Sequence, residues 1–596
     1  MPLTNDPRAL LGDRLAARRL AVFELERRDG RIAFSRLAVF LTFLASVLAW
    51  REHWLGPIWL ALPCAAFLVL LRVHDRTLEA LGRARRAVAF HLSNVERLEG
   101  RFAGKGDQGL RYASDEHPYA KDLDLFGAGS IFELLCTART LPGADTLARW
   151  LLGPAAPDEL RARQKAVAAL APQLDLREDL AILGEDVRAE VHAERLSTWA
   201  AAPRALPAWL ALPAFALPAL VLCSLAGLSA GLLAPVPLVL ALALEWALLR
   251  AVRARIQSVL GGVERPGAEL AVLSGLLTRL ERENFDDPRL RALRAALGDG
   301  PHAASRRIGT LGRIVERAEW VENQLFAPFG FVLLWRLHSG LAIERWRKEH
   351  GADVRAWLGA CAELEALSAL AGHAFLHPAD PFPEFADGKG ALYLGEDLGH
   401  PLMAPAACRA NTVELGEGIR LLIVSGSNMS GKSTLLRTVG ANAVLALCGA
   451  PVRAKRLKLS ALVLGATLRI EDSLSDGRSR FWAEITRLRA LQDLSTHEPP
   501  LLFLLDELLA GTNSRDRRAG AEAVLRAFLS RGAVGLVTTH DLALSELASA
   551  LEGVSNAHFE DEVRGGEVHF DYALRPGVAT HSNALALMRA VGLKID

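Results

Sequence analysis

Residues 421–434 read LLIVSGSNMSGKST: an apolar run, a loop with two glycines, and the start of a helix. Strand, glycine loop and helix in this order are the context that a phosphate-binding loop requires. The glycines allow the backbone to approach phosphate oxygens closely, and the loop N–H groups and the positive end of the helix face the β-phosphate. An ordinary strand–turn–helix is the alternative, but it leaves the adjacent Gly-Lys-Ser-Thr unexplained.

This loop therefore predicts a nucleotide site. Lys432 is expected to reach the β- and γ-phosphates, and Ser433 is expected to hold Mg²⁺. The predicted nucleotide contacts within the loop are Gly426, Ser427, Asn428, Met429, Ser430, Gly431, Lys432, Ser433 and Thr434.

Two later apolar runs end in side chains suited to ATP hydrolysis. Residues 501–505 form a continuous apolar run, typical of a buried parallel strand, and Asp506-Glu507 follow it. Asp506 is expected to bind Mg²⁺ through water, and Glu507 is expected to polarise the attacking water. The strand at residues 535–539 ends in His540, which can sense the γ-phosphate. A solvated helix start and a merely solvated histidine are the alternatives, and the phosphate loop upstream disfavours both.

These residues resemble the ATPase domain of the MutS family, the ABC-type ATPases of DNA mismatch repair. Six pieces match in order: Asn411, the loop 426–434, residues 472–484, Leu505-Asp506-Glu507 with Gly511-Thr512, Thr538-Thr539-His540, and residues 553–558. The third piece separates this family from ABC transporters, whose Leu-Ser-Gly-Gly-Gln type signature does not occur in the sequence.

The resemblance implies ATP and Mg²⁺ as ligands, and a homodimer in which each site needs two chains. Asn411 joins the predicted nucleotide contacts, and Ser479 is expected to reach across the dimer to the γ-phosphate bound by the other chain. Mismatched or branched DNA is the ligand that the family implies. The chain also departs from the family: Ser427 and Ser430 stand where Pro and Gly are usual, and Cys408 stands where an aromatic side chain often stacks on adenine. Weak base selectivity is therefore expected.

Helical segments upstream resemble the core domain of the same family. The resemblance lies in residues 122–135, 142–151 and 159–164, and residues 262–300 and 341–376 show the periodicity of long amphipathic helices. Because the core-like segment begins near residue 120, the mismatch-reading and connector domains of a full MutS protein are not expected ahead of it. A helix-turn-helix dimerisation element after residue 587 is expected to be missing or very short.

Long uncharged segments predict four membrane-spanning helices in two hairpins. The first hairpin is predicted at residues 34–50 and 54–72, and the second lies in the forty uncharged residues 205–244. Buried pairs of soluble helices are the alternative, which the length of these segments disfavours. Residues 326–335 are apolar but too short to span, and are interpreted as a core helix or a membrane-facing surface.

Arginines flank both predicted hairpins on the same side. They precede the first span and follow the second and fourth, which predicts a cytoplasmic N-terminus and ATPase domain in a multi-pass protein of the bacterial inner-membrane type. No cleavable signal is expected, because the first thirty residues are charged and lack an early apolar core. A net charge of +1 gives no global nucleic-acid signature, and the six cysteines show no metal-binding spacing.

The predicted fold is multidomain: α-helical transmembrane hairpins, an all-α core/lever domain, and a C-terminal α/β P-loop ATPase domain of the ABC type. The predicted boundaries are 1–110 for the first hairpin and its flanking helices, 111–204 and 252–385 for the two parts of the core/lever domain, 205–251 for the second hairpin, and 386–596 for the ATPase domain.

The expected function is a membrane-anchored ATPase that couples ATP binding and hydrolysis to dimer closure and DNA binding. One alternative is a mechanical or transport-type ATPase that acts on a membrane protein partner without DNA. Another is a membrane scaffold with a degenerate site, but intact Lys432, Asp506 and Glu507 argue against it.

Overall fold

The chain divides into a helical part and a C-terminal α/β domain. The structure, a computed structural model, describes residues 6–183, 193–261, 266–388, 390–427, 429–469, 480–509, 514–564 and 567–578. All described α-helices up to residue 376 precede the strands, and all ten described strands follow them. The prediction of a mostly helical multidomain chain with a C-terminal α/β domain is confirmed at this level.

The N-terminal helices form one long antiparallel hairpin. Helix α1 (Pro7–Arg51) and helix α2 (Ala61–Leu98) lie alongside each other over most of their length. The Asp6 carboxylate accepts a hydrogen bond from the N–H of Arg8 and so caps α1, which begins at a proline. At the end of the hairpin opposite its turn, the Arg8 guanidinium lies 2.9 Å from the carboxylate of Glu99, which follows the last residue of α2.

The remaining helices form the body of the helical part. Their bounds are α3 Ile131–Leu135, α4 Leu141–Leu152, α5 Pro157–Leu170, α6 Leu174–Ile182, α7 Ala193–Ala201, α8 Ala211–Ser229, α9 Val236–Leu260, α10 Pro266–Glu281, α11 Pro288–Ala296, α12 Ala304–Glu319, α13 Ala327–Val332, α14 Trp335–His350 and α15 Val354–Leu376. Helix α15 lies at the centre, buried on nearly every face, and packs against α4 and α5. A helix that is apolar all round is expected in such a core position.

Each of the two long amphipathic segments is a pair of shorter helices. Residues 262–300 contain α10 and α11, because Asp287 caps a new helix that begins at Pro288. Residues 341–376 contain the end of α14 and all of α15, with Gly351 at the break. A Cβ atom at Gly351 would lie 2.1 Å from the carbonyl oxygen of Ala200, so only glycine fits at this position.

Three helical segments among the described residues are long and apolar enough to cross a membrane: Pro7–Arg51, Pro57–Leu98 and Ala208–Ser229. They contain the predicted span 34–50, most of the predicted span 54–72, and the first span of the second predicted hairpin. The fourth predicted span lies in α9, which is not among them, because its uncharged stretch ends at Glu245. The apolar residues 326–335 contain the short α13, whose Phe329 side chain is exposed, and end where α14 begins.

The α/β domain contains two sheets. Its strands are β1 Glu384–Phe385, β2 Tyr393–Leu398, β3 Asn411–Leu415, β4 Leu421–Ser425, β5 Arg456–Leu459, β6 Val463–Thr467, β7 Leu501–Leu505, β8 Val534–Thr539, β9 Val554–Arg564 and β10 Glu567–Pro576. Its helices are α16 Lys432–Cys448, α17 Arg480–Leu494, α18 Ser514–Ser530, α19 Leu542–Ser545 and α20 Leu547–Ala550. The larger sheet has the order β10-β9-β4-β8-β7-β6, and the smaller one has the order β1-β5-β2-β3.

The larger sheet brings three sequence-distant loops together. Strands β4, β8 and β7 are parallel neighbours, and every residue of each is buried. Ser425 pairs with Thr539, and Leu505 pairs with Val537, so the three strands end at one edge. Ligands of open α/β sheets bind outside the carboxyl ends of the strands.

A buried carboxylate ties the helical part to the α/β domain. Asp122 accepts hydrogen bonds from the backbone N–H groups of Leu468 and Arg469, both at 2.8 Å, and from the Arg487 guanidinium at 2.9 Å. These partners lie just after β6 and within α17. The resemblance to a core domain at residues 122–135 therefore begins at a residue that fixes the junction.

Candidate functional site

The loop after β4 has the backbone that a phosphate cradle needs. Gly426 and Gly431 take positive φ angles of 153° and 103°, which favour glycine. Helix α16 begins immediately afterwards, at Lys432. Met429 also has a positive φ, and its side chain is exposed. Asn428 lies outside the described residues, so its predicted role stays a prediction.

Lys432 is folded back onto its own loop. Its ammonium group donates to the carbonyl oxygens of Gly426 at 2.8 Å and Ser427 at 2.7 Å. Burial lowers the pKa of Lys432, while the nearby Glu507 and Asp506 carboxylates oppose that shift. The lysine is therefore held, almost fully buried, between the loop and the two acids.

Two hydroxyl groups of the loop fit a phosphate ligand. The Oγ atoms of Ser427 and Ser430 are buried and have no hydrogen-bond partner among the described residues. Buried polar groups are normally paired, and phosphate oxygens are strong acceptors for hydroxyl donors. With the lysine and the start of α16, these hydroxyls make the loop chemically suited to a nucleotide phosphate.

Thr538 on β8 positions both acids that follow β7. Its hydroxyl donates to the carboxylate of Asp506 and accepts from the backbone N–H of Glu507 at 3.1 Å. Asp506 is further fixed by its own N–H, which donates to the carbonyl oxygen of Thr467 at 2.9 Å. The role of Thr538 was not predictable from its motif, since only the strand register brings it beside the acids.

His540 and Glu507 lie side by side at the sheet edge. The imidazole Nδ1 is 3.4 Å from a carboxylate oxygen of Glu507, and about half of the His540 side chain is exposed. Glu507 takes a positive φ of 50°, a sparsely populated backbone conformation for a residue with a side chain. The two residues predicted to act on the γ-phosphate and the attacking water therefore share one small region.

A cavity of about 480 Å³ opens beside the loop. Its walls include Lys432, Ser433, Glu507, Asn411, Cys408 and Tyr572. This volume is within the range of small-molecule sites. The cavity therefore joins the predicted phosphate, metal and water-activating residues to a space large enough for the rest of a nucleotide.

Asn411 and Tyr572 form one wall of that cavity. The Asn411 amide donates to the carbonyl oxygen of Tyr572 at 3.0 Å and accepts from the N–H of Leu574 at 2.7 Å, so it holds strand β10 in place. The Tyr572 ring lies against the loop, 3.1 Å from where a Cβ atom of Gly431 would stand. Tyr572 was not among the predicted site residues, and its aromatic side chain is the only sequence feature that points to it.

Two predicted parts of the site lie outside the described residues. These parts are Ser479, within residues 470–479, and Gly511-Thr512, within residues 510–513. The neighbouring Glu484 is described: its carboxylate accepts from the N–H of Leu509 at 2.5 Å and fixes the turn after the two acids.

Residues 422–594 match the family model of MutS domain V. The C-terminal part of the chain is therefore similar to this domain of the MutS family. The match covers β4, the loop, the acids after β7, and His540.

Several MutS relatives are similar to parts of the chain. It is 36% identical over 196 residues to "Endonuclease MutS2" of Thermus thermophilus. The aligned segment covers 33% of the chain and 25% of that protein. The chain is 38% identical over 175 residues to "DNA mismatch repair protein MutS 2" of Haloarcula marismortui, covering 29% of the chain and 18% of that protein.

A longer similarity extends beyond the α/β domain. The chain is 28% identical over 351 residues to "Endonuclease MutS2" of Halalkalibacterium halodurans, covering 58% of the chain and 43% of that protein. This length exceeds the described α/β domain, so the similarity reaches into the helical part. The chain spans less than half the length of each of these MutS relatives.

Proposed function

We propose that this chain is a membrane-anchored MutS-type ATPase that couples ATP binding and hydrolysis to closure of a homodimer on DNA. The observation that carries the proposal is the meeting of Lys432, Asp506-Glu507 and His540 at one sheet edge beside a cavity of about 480 Å³. The names of the relatives, a DNA mismatch repair protein and endonucleases, support DNA as the ligand.

In the proposed reaction, each residue of the sheet edge has one task. Lys432 and the loop would hold the β- and γ-phosphates, and Ser433 and Asp506 would hold Mg²⁺, which neutralises charge on the transferred phosphoryl group. Glu507 would polarise the attacking water, and His540, 3.4 Å away, would orient the Glu507 carboxylate. Ser479 of a second chain would complete the site, so hydrolysis would require a dimer.

The proposal is tested by ATP hydrolysis with the full chain, purified in detergent. The rate is measured without DNA and with homoduplex, mismatched and four-way-junction DNA, at a fixed salt concentration because phosphate contacts are salt-dependent. We expect DNA to stimulate hydrolysis and Lys432→Ala to abolish it. Lys348→Ala, which removes an exposed lysine on α14, serves as the matched control.

A Glu507→Gln variant tests the coupling to a dimer. It should bind ATP and hydrolyse it at least about 100-fold more slowly, because the water-polarising carboxylate is lost. We expect this variant to accumulate as an ATP-bound dimer, measured by light scattering. A chain that stays monomeric with bound ATP would contradict the dimer mechanism.

A second candidate function is a mechanical ATPase that acts on a membrane protein partner. The exposed apolar helices α1, α2 and α8 favour this alternative, since they provide a surface for such a partner within a bilayer. A basal ATPase rate that depends on Lys432 but is indifferent to every DNA would select this function over the DNA-coupled one.

A further inference from the structure

Three potential metal ligands converge at the end of α15, away from the sheet edge. His373 lies in the last turn of the helix, His377 follows one turn later, and Asp380 stands in the next turn of the chain. One ligand atom from each side chain lies within 4.8 Å of those of the other two. Although His377 lies just beyond the helix end, the ring centroids of the two histidines are only 4.5 Å apart.

Both imidazoles are in a form that can bind a metal. Nδ1 of His373 is buried and has no hydrogen-bond partner among the described residues. Nδ1 of His377 lies 3.1 Å from the carbonyl oxygen of His373. A carbonyl oxygen only accepts, so this nitrogen carries the hydrogen and leaves Nε2 of His377 with a free lone pair.

The charges around the three side chains are of both signs. Asp380 supplies a carboxylate, which favours a cation. Arg453 is close enough to affect all three side chains and opposes a cation. Arg97, also near His373, is held by hydrogen bonds to the carbonyl oxygens of Leu134 and Cys136. Two imidazoles with one carboxylate form a donor set suited to zinc and related transition metals rather than to Mg²⁺ or Ca²⁺.

We propose that His373, His377 and Asp380 bind one transition-metal ion of the zinc class. The site would fasten the end of α15 to the segment that leads into the α/β domain. That segment already contacts the domain, because the N–H of Val452 donates to the carbonyl oxygen of Pro381 at 3.0 Å. Three protein ligands leave a fourth position for water or another ligand. This inference does not depend on ATP or DNA.

Metal binding is measured on the full chain, purified in detergent and stripped with a chelator. Zn²⁺ is titrated against a coloured indicator, and Co²⁺ is used as a spectroscopic probe of the ligands. We expect one tight equivalent per chain and no cobalt–thiolate absorption, since the site contains no cysteine. His377→Ala and Asp380→Asn should each weaken binding by more than about 100-fold, because the first removes a ligand nitrogen and the second removes the carboxylate charge. The control is His497→Ala, which removes an exposed histidine elsewhere.

Thermal unfolding separates ligand loss from misfolding. In chelator, the wild type and Asp380→Asn should unfold at similar temperatures. Added Zn²⁺ should raise the unfolding temperature of the wild type alone, because a ligand that binds the folded state stabilises it. The proposal would be overturned by any of three results. These are a wild type that binds no zinc, ligand variants that both bind it as tightly as the wild type does, and a cobalt complex that shows thiolate absorption.

Discussion

At the scale of single residues, the hydroxyl of Thr538 is the contact on which both acids of the candidate site depend. It donates to Asp506 and accepts from the backbone of Glu507. Replacing Thr538 with Val keeps the shape and removes the hydroxyl. A hydrogen bond to a charged group contributes about 2 kcal/mol, so we expect the ATPase rate to fall roughly 30-fold.

Thr538→Ser is the matched control for that change. It retains the hydroxyl, and most of the rate should return. The comparison is made by steady-state ATP hydrolysis at saturating ATP and Mg²⁺. Equal rates in the Val and Ser variants would show that the hydroxyl does not position the acids.

Tyr572 is the second residue whose role can be tested alone. Its ring lines the cavity together with Cys408, the position where the MutS resemblance leads one to expect an aromatic side chain. Stacking of a base on an aromatic ring contributes about 1–3 kcal/mol. We therefore expect Tyr572→Ala to weaken ATP binding roughly 30-fold, measured by calorimetry, and Tyr572→Phe to bind as the wild type does. Unchanged affinity in the Ala variant would remove Tyr572 from the nucleotide site.

At the scale of elements, α15 organises the helical part through a buried carboxylate. Glu365 accepts from the backbone N–H groups of Arg139 at 2.7 Å and Thr140 at 3.2 Å, just before α4 begins. Burial raises the pKa of this carboxyl group, and the hydrogen bonds oppose that shift. The central helix thus satisfies N–H groups at the start of a neighbouring helix.

Removing that carboxylate should destabilise the helical part. Glu365→Ala leaves buried N–H groups without an acceptor, at a cost of about 3 kcal/mol. Glu365→Gln keeps an acceptor oxygen and should cost much less. Thermal unfolding in detergent, followed by circular dichroism, compares the two variants. Equal losses for Ala and Gln would mean that the charge, rather than the acceptor, is what α4 requires.

Elements defined by neighbouring residues were predictable from the sequence, and features defined by contacts between distant residues were not. The strand–loop–helix at 421–448 and the strand before Asp506 were predictable, because apolar runs and local glycines define them. The break at Gly351 depends on a close approach to Ala200, far away in the sequence. Likewise, Thr538 and Tyr572 join the site through strand register and a cavity wall, which periodicity does not reveal.

At the scale of the whole molecule, the apolar surface of α1, α2 and α8 requires a partner. Leu37, Leu41, Leu44 and Leu48 on α1 are each between 47% and 56% exposed. Exposed apolar surface of this extent marks a membrane or protein contact. We expect a lipid bilayer, with the α/β domain on the cytoplasmic side.

Cysteine labelling in intact membranes tests that expectation. Cys64 on α2 and Cys223 on α8 are exposed in the protein alone. In single-cysteine variants, both should resist a water-soluble maleimide. The control is Ser530→Cys at the end of α18. The introduced thiol should react with the maleimide once the cells are permeabilised, but not before. Rapid reaction at Cys64 and Cys223 would exclude the bilayer.

The length of the N-terminal hairpin determines how far a bound nucleic acid would lie from the membrane surface. Helix α1 has 45 residues, or about 68 Å at 1.5 Å per residue, whereas the hydrocarbon core of a bilayer is about 30 Å thick. The polar half of the hairpin would then extend about 40 Å beyond the hydrocarbon core. It is braced where Arg18 on α1 and His91 on α2 both contact Glu178. Electrostatic fields in the cytoplasm decay over about 8 Å. A nucleic acid held at the far end of this stalk would therefore not feel the negative charge of the lipid headgroups.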